Sequence, residues 1–246
     1  FLPAEGGCTM TRYEIEQILT QSLRLTKPIL ALKPLPEIPT GIPHYEGTTY
    51  PGLCTQLGEI LKENKTFYIT RDNNVCYEGL IATGVCELSR EEYRAALDEF
   101  MHTCPYHKDM DTAMAFYEEN IKTIPVPPVT NACLVAGPLH EIENPELVIV
   151  FCTPLQADIL VRAQAYIGNL TKGFGGLGGC IYNIRHAFVT RQQTFSTSDF
   201  PWRVFVGLRP EEMTVTIPWE RLLESVPNLP QIAEYVTELM RMTEAQ

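Results

Sequence analysis

Residues 147–152 place the strongest constraint on how this chain can fold. The run Leu147-Val-Ile-Val-Phe-Cys152 is apolar at every position. A strand with one face toward water alternates apolar and polar residues, whereas a uniformly apolar strand is typical of a sheet covered on both faces. The following residues, Leu155 to Ile167, have the apolar spacing of a helix. The pattern therefore predicts a central strand with helices packed over the sheet.

Strand and helix patterns are interleaved along the rest of the chain. Helical patterns, one of them beginning with a capping box at Ser89 to Glu92, occur over residues 11–23, 53–61, 89–101, 111–121, 180–191 and 231–242. Short apolar runs predict further strands over residues 28–33, 66–70, 203–207 and 213–217. The proline-rich segments 34–51 and 125–138 are predicted to be irregular. Together the patterns predict an α/β or α+β fold, with helices packed on a mixed sheet.

The length of 246 residues suits one large domain. Hydrophobic residues make up 45% of the chain, which is enough for a sizeable core. We therefore expect residues 1–246 to form a single compact domain. Residues 1–26 are expected to form a peripheral N-terminal helix, and residues 225–246 a C-terminal helix.

The net charge of −11 argues against binding to nucleic acids or to anionic membranes, because phosphate contacts come mainly from Lys and Arg. No apolar run approaches the roughly 20 residues that span a bilayer. The opening residues FLPAEGGC lack the basic region of a signal peptide. We therefore expect a soluble, cytoplasmic protein with no nucleic-acid or membrane partner, and the sequence leaves an oligomer open.

The glycine-rich stretch GFGGLGGC at 173–180 is the most unusual motif in the chain. Glycine allows close backbone approach, and backbone amides in such a loop can line an anion site. We expect this role for Gly175, Gly176, Gly178 and Gly179. The spacing matches neither the phosphate loop GxxxxGK[ST] nor GxGxxG. A flexible linker is the plain alternative.

The glycine-rich stretch lies inside a basic window, residues 159–209, which holds six basic residues and one acid, Asp199. Such an asymmetry in an acidic chain is typical of a site for an anionic ligand or partner. We expect Arg162, Lys172, Arg185 and Arg203 to neutralise the ligand's charge. Ordinary surface ion pairs would produce the same composition.

Several segments resemble, in order, the domain-of-unknown-function 169 family of anaerobic bacteria and archaea. They are KPILALKP (27–34), GLCTQLGEI (52–60), NNVCYEGLIATGV (73–85), GPLHEIENPELVIVFCTPLQADILVRAQAYIG (137–168) and RVFVGLRPEEMTVTIPWERL (203–222). The resemblance covers roughly residues 25–225 and implies recurrent cysteines at Cys54, Cys76 and Cys180. Family members often carry a further Cys before the late Arg-containing segment, where this chain has Ser196 to Trp202 without one. The family supplies no settled activity.

Three functional hypotheses follow. Cys54, Cys76 and Cys180 are candidate ligands of a metal ion or an iron–sulfur cluster, because thiolates are the natural ligands of both. A carrier for a tetrapyrrole or corrinoid would use the basic window and its aromatic neighbours, with His186 or Cys180 as an axial ligand. A cysteine-dependent enzyme acting on an anionic substrate would use Cys180, with His186 or His140 as its base.

Plainer interpretations exist for the same residues. Free cysteine is among the most buried residue types, and Cys86, Cys133 and Cys152 fit that pattern. The compact motif His102-Thr-Cys104-Pro-Tyr-His107 is more typical of a helix end than of a metal site. The sequence favours a protein that binds a cofactor or an anionic small molecule around residues 166–209, with Cys54 and Cys76 nearby.

Overall fold

The computed structural model describes residues 10–47, 52–74, 76–103, 106–171 and 179–244. The strands of this part of the chain are β1 (Leu30–Leu35), β2 (Phe67–Ile69), β3 (Cys133–Pro138), β4 (Leu147–Cys152), β5 (Thr194–Ser196) and β6 (Met213–Pro218). They form one six-stranded sheet in the order β2-β3-β1-β4-β6-β5. The predicted compact domain with helices packed on a sheet is confirmed. We expected a sheet with both parallel and antiparallel strands. All neighbouring strands pair antiparallel instead.

One face of the sheet is covered by what we call the first layer. Its helices are α1 (Arg12–Leu23), α6 (Pro154–Tyr166), α9 (Trp219–Ser225) and α10 (Leu229–Glu244). Side chains from all four helices join the same apolar core as one face of the sheet. The two terminal helices, α1 and α10, pack directly on each other.

The opposite face carries the second layer. Its core helices are α2 (Leu53–Glu63), α3 (Glu78–Ala82), the π-helix Gly179–Ile184, α7 (Arg185–Thr190) and α8 (Phe200–Phe205). A helix pair, α4 (Arg90–Thr103) and α5 (Met110–Thr123), packs together beside this layer. Among the described residues, no helix is long and apolar enough to cross a membrane.

Strand β4 explains its own sequence. Val148 and Val150 enter the core of the first layer, while Ile149 and Phe151 enter the core of the second. The strand pairs with β1 on one side and β6 on the other, so its backbone is satisfied from both directions. A strand buried on both faces needs apolar residues at every position, as the sequence predicted.

Two predictions of local structure were wrong. We expected a strand at 203–207, but residues 203–205 belong to α8. This helix begins after Asp199 and has Pro201 in its first turn. The Asp199 carboxylate accepts a hydrogen bond from the Trp202 amide, and this cap favours a helix over the strand tendency of the valines. Within the segment expected to be irregular, β3 pairs with both β1 and β2, so tertiary pairing overrides local composition there.

Candidate functional site

The three cysteines singled out by the sequence line one pocket on the second layer. Cys54 lies in the first turn of α2, Cys76 two residues before α3, and Cys180 in the π-helix. The pocket has a volume of about 280 Å³. Three distant parts of the sequence therefore bring thiols to the same place, and no two of them belong to a single local motif.

A close backbone approach brings Cys54 and Cys76 together. Gly52 forms a bridge with Cys76 just before α2 begins. A Cβ atom at position 52 would lie 3.1 Å from the Cβ of Cys76 and 3.8 Å from the Sγ of Cys54. Glycine at this position therefore leaves room for both cysteine side chains.

A second close approach positions Cys180. A Cβ atom at position 179 would lie only 2.5 Å from the indole ring of Trp202, so Gly179 lets this ring pack against the π-helix. Trp202 is 2% exposed and lines the pocket. Of the four glycines predicted to line a ligand site, Gly179 thus has a packing role, while Gly175, Gly176 and Gly178 lie outside the described residues.

Buried hydrogen bonds hold the π-helix against the segment that precedes α8. The Asn183 side-chain amide donates to the Thr214 hydroxyl at 2.9 Å, and the Ser198 and Thr214 hydroxyls are 3.0 Å apart. Thr214 belongs to β6, so the sheet anchors both segments. Short π-helical segments of this kind are frequent at functional sites.

Burial sets the protonation of the three thiols. Burial, followed by the nearby charge of Asp199, raises the pKa of the Cys54 thiol to about 11. Burial and the neighbouring thiols raise the pKa of Cys76 and of Cys180 well above the ordinary range. Without a positive ligand, the pocket therefore keeps all three thiols protonated near neutral pH.

Three carboxyl groups line the pocket, those of Glu78, Glu99 and Asp199, and two of them, Glu78 and Asp199, act on the pKa values of the thiols. Glu78 accepts a short hydrogen bond from the Tyr93 hydroxyl. Burial raises the pKa of Glu78, while the Tyr93 hydrogen bond and the charge of Arg185 oppose that rise. Asp199, the cap of α8, also lines the pocket. The polar lining is therefore acidic and thiol-rich.

Arg185 lies close to this acidic lining without being part of it. Its side chain is 1% exposed, and Nε and Nη2 have no hydrogen-bond partner among the described residues. Burial lowers the pKa of Arg185, and the charge of Glu78 opposes that effect. Glu78 is thus the charged residue that acts most strongly on Arg185 in the described residues, and the role of Arg185 in neutralising a ligand's charge stays a prediction.

An aromatic wall forms the rest of the pocket. We use this name for the uncharged lining side chains of α4, of α5 and of the residues next to these helices. They are Leu88, Tyr93, Ala96, Leu97, Phe100, Tyr106, His107, Ala113 and Phe116. Several of these rings contact one another. Phe100 stacks on Tyr106 with centroids 5.3 Å apart, and His107 lies 5.1 Å from Phe116.

The basic window does not converge on a ligand site in the described residues. Arg162 forms an exposed ion pair with Asp158 on α6, in the first layer. The guanidinium group of Arg203 donates to the backbone carbonyls of Thr197, Arg209 and Glu212. Lys172 lies outside the described residues. Arg162 therefore forms an ion pair on the surface, and Arg203 holds the backbone of neighbouring loops.

The other arginines of the window are also paired. Arg191 contacts the carboxylates of Glu146 and Glu220, and Arg209 contacts Glu211 and Glu212. The acid partners of Arg191 thus come from distant parts of the chain, while those of Arg162 and Arg209 lie just beyond the two ends of the window. The positive excess of the window depends in part on where its limits are drawn.

The predicted histidines are scattered. His186 is buried on α7, where the Thr190 hydroxyl bonds its backbone carbonyl at 2.7 Å, and it is not a lining residue. His140 pairs with Glu16 at 2.7 Å beside α1. His107 joins the aromatic wall, whereas Cys104 lies outside the described residues. Cys86, Cys133 and Cys152 are all buried, as their plain interpretation predicted.

Sequence reasoning did not place any carboxylate in the site. Glu78 follows Cys76 by two residues, and Asp199 entered the sequence analysis only as the one acid of the basic window. Among 30 acidic residues, nothing local marked these two as neighbours of the thiols.

The described residues contain no group of three or more His, Cys, Asp or Glu side chains already arranged to hold a metal ion. Binding of a metal by the three thiols would therefore require their sulfur atoms to move closer together than they are in this structure.

Comparisons with known proteins give one match. No curated protein and no solved structure matches the chain. A family model described as uncharacterised ArCR, a domain of unknown function, matches residues 18–228, which is most of the chain. The match contains all three pocket cysteines together with Glu78 and Asp199. The chain therefore belongs to the domain-of-unknown-function 169 family.

Proposed function

We propose that this protein binds a small thiol-liganded centre, a metal ion or an iron–sulfur cluster, at Cys54, Cys76 and Cys180. The observation that carries the proposal is the convergence of these three thiols in one pocket. Thiolates are the natural ligands of zinc and of iron–sulfur clusters. Cysteines that served packing alone would have no need to meet beside the carboxyl groups of Glu78 and Asp199.

The charge of the pocket favours a cationic centre over the anionic ligand that the basic window suggested. Glu78, Glu99 and Asp199 line the pocket, and none of its described lining residues is Lys or Arg. Deprotonating buried thiols in such surroundings is costly, as their raised pKa values show. A bound cation offsets that cost, and its binding would release protons.

Asp199, which also caps α8, is our candidate for a fourth ligand beside the thiols. Asp199 comes from the segment in which family members often carry a further cysteine, and it raises the pKa of Cys54 by its charge. Carboxylate oxygen is an accepted zinc ligand. We therefore include Asp199 in the proposed site, with Glu78 as a neighbour that adjusts the local charge.

The size of the pocket separates the two kinds of cofactor considered from the sequence. Pockets that enclose drug-sized molecules have volumes of roughly 300–1,000 Å³. The volume of about 280 Å³ here is at the small end, which favours an ion or cluster over a tetrapyrrole. His186, the proposed axial ligand, does not line the pocket.

The alternative of a cysteine-dependent enzyme has less support. A nucleophilic cysteine needs a lowered pKa or an adjacent base. Burial instead raises the pKa of Cys180. Of its two proposed bases, His140 is paired with Glu16 beside α1 in the first layer.

Cobalt(II) titration under anaerobic conditions tests the proposal. Cobalt substitutes for zinc at thiolate sites and reports each Co–S bond by a charge-transfer absorption. We expect this band in the wild type, with a marked loss in Cys54→Ser, Cys76→Ser and Cys180→Ser. Cluster reconstitution with iron and sulfide, followed by analysis of both elements, distinguishes a cluster from a single ion.

The matched control is Cys152→Ala, since Cys152 is also a free, buried cysteine but lies in the first layer. This variant should bind cobalt as the wild type does. The proposal fails if the wild type binds neither cobalt nor a reconstituted cluster through thiolates, or if the three serine variants retain the full charge-transfer band.

A further inference from the structure

The pocket is larger than a metal ion and its thiol ligands need. A cavity of about 10–15 Å³ is enough to hold one water molecule. The pocket has about 280 Å³, and the thiols contribute only a few of its lining residues. Most of the remaining lining belongs to the aromatic wall, which the proposed function leaves unexplained.

The aromatic wall has the composition of a surface that binds organic molecules. Tyr93, Phe100, Tyr106, His107 and Phe116 place aromatic rings along one side of the pocket. Trp202 of α8 adds a further ring to the pocket lining. Ligand pockets typically combine apolar and aromatic walls with a few placed polar groups. Glu78, with its bound Tyr93 hydroxyl, is such a polar group.

Two rings of the aromatic wall also contact rings that are not part of it. Tyr93 stacks on Tyr117 with ring centroids 3.6 Å apart, and Phe116 contacts the ring of Tyr182 at 6.0 Å. These contacts tie α4 to α5 and α5 to the π-helix that carries Cys180. A ligand stacked on the wall would therefore lie on a supported surface next to the thiols.

We propose that the aromatic wall binds a flat organic molecule that carries no negative charge, beside the thiols. It shares the pocket with the proposed metal centre but uses different residues, so either site can exist without the other. Flat rings gain from offset or edge contacts with aromatic side chains. A positively charged group gains further from the ring faces.

The charges of the described lining residues favour a neutral or cationic ligand over an anion. The acidic lining residues are Glu78, Glu99 and Asp199, and the described lining residues include no Lys or Arg. The guanidinium group of Arg185 faces the charge of Glu78 and is not a lining group. A ligand amine would meet the Glu78 carboxyl, whereas a ligand carboxylate would meet like charge.

Three probes that differ mainly in charge test the inference by titration calorimetry: indole is neutral, tryptamine is cationic and indole-3-acetate is anionic. We expect tryptamine and indole to bind, and indole-3-acetate to bind at least about tenfold more weakly than tryptamine because of the acidic lining. Phe116→Ala should weaken indole binding about tenfold. Phe100→Leu is a milder second variant in case the first does not fold.

Tyr235→Ala is the matched control, because Tyr235 is an exposed ring on α10 in the first layer. It should bind the probes as the wild type does. The inference is overturned if no probe binds, if indole-3-acetate binds as tightly as tryptamine, or if Tyr235→Ala weakens binding as much as Phe116→Ala.

Cobalt binding measured on the same proteins separates this inference from the proposed function. Phe116→Ala should keep the cobalt charge-transfer band, and a Cys54→Ser/Cys180→Ser double variant should keep indole binding. A protein that binds indole but no cobalt would sink the proposed metal centre alone. The reverse result would sink the aromatic-wall site alone.

Discussion

The two layers on either side of the sheet use the same residue types for different ends. Cys152, in the first layer, is 1% exposed, and Cys180, in the second, is 7% exposed. Cys152 packs among aliphatic side chains such as Val150 and Leu160. Cys180 shares a pocket with two further thiols and three carboxyl groups. Burial alone therefore does not distinguish a packing cysteine from a functional one; its neighbours do.

Strand β6 shows where the difference begins. Val215 and Ile217 face the first layer and join its core. The alternate residues Thr214 and Thr216 are fully buried polar side chains, and Thr214 bonds Asn183 and Ser198 of the second layer. On β6, the side facing the first layer is thus aliphatic, while the side facing the second layer makes polar contacts that hold the π-helix. The variants and conditions below test this contrast.

The largest effect is expected in the first layer. Leu19→Ala removes a fully buried side chain of α1 from the core of the first layer. The lost burial and the cavity should lower the free energy of unfolding by about 3–5 kcal/mol, measured by urea denaturation. The exposed Leu239 on α10 is the control, and its alanine variant should change stability by less than about 0.5 kcal/mol. Equal losses would show that the first layer is not the closely packed one.

Alkaline pH should destabilise the ligand-free protein. Burial raises the pKa of Cys54 to about 11, whereas the thiol has a pKa of about 8.5 in the unfolded chain. The protonated thiol therefore contributes its full share of stability below about pH 8.5. That contribution is lost as pH rises through the folded pKa, and amounts to roughly 3 kcal/mol for this thiol. Urea unfolding between pH 8 and pH 11 should therefore show a loss that Cys54→Ala reduces.

Zinc turns the same titration into a comparison of the layers. A zinc ion bound by the pocket thiols would keep them deprotonated and remove their share of the alkaline loss. Cys152, whose pKa burial raises to about 12, lies in the other layer and should keep its share. If zinc leaves the alkaline loss unchanged, the pocket thiols are not its ligands.

Gly179→Ala should disturb the second layer at an intermediate cost. The new methyl group would overlap the indole of Trp202, and the overpacking should cost about 1–3 kcal/mol. Cobalt binding should weaken as well, because Trp202 and Cys180 both move. Gly168→Ala makes the matched comparison: Gly168 has φ +83° with no atom near its would-be Cβ. That variant should cost about 1–2 kcal/mol and leave cobalt binding intact.

Tyr93→Phe should have a smaller effect. The variant removes the hydroxyl that donates to Glu78 and should cost about 1 kcal/mol. Since this hydrogen bond lowers the pKa of Glu78, its loss should raise that pKa further. An NMR titration of the Glu78 carboxyl measures the shift. Tyr13→Phe, at an exposed ring on α1, should change neither stability nor the titration.

The smallest effect is expected for Arg162→Ala. Its ion pair with Asp158 is exposed on α6, so its loss should change stability by less than about 1 kcal/mol. Cobalt and probe binding should not change, because Arg162 lies in the first layer. A clear loss of ligand binding would restore the basic window as a ligand site and contradict the contrast between the layers.

Local patterns in the sequence predicted much of the fold. The uniformly apolar run at β4, the helix of α6 that follows it and the capping box at Ser89 all appear in the structure. Each of these signals depends on residues within one or two turns of chain. The wrong strand at 203–207 shows the limit: Val204 and Val206 favour a strand, but a helix cap at Asp199 decided otherwise.

The sequence by itself determined the alternation of helices and strands, the burial of β4 on both faces and the three cysteines worth following. Only the tertiary structure decided that these thiols share a pocket with Glu78 and Asp199, and that Arg162 and Arg203 do not. The physical reason is range. Helix caps and apolar periodicity act between neighbours along the chain, whereas a pocket and an ion pair depend on which distant segments the sheet places side by side.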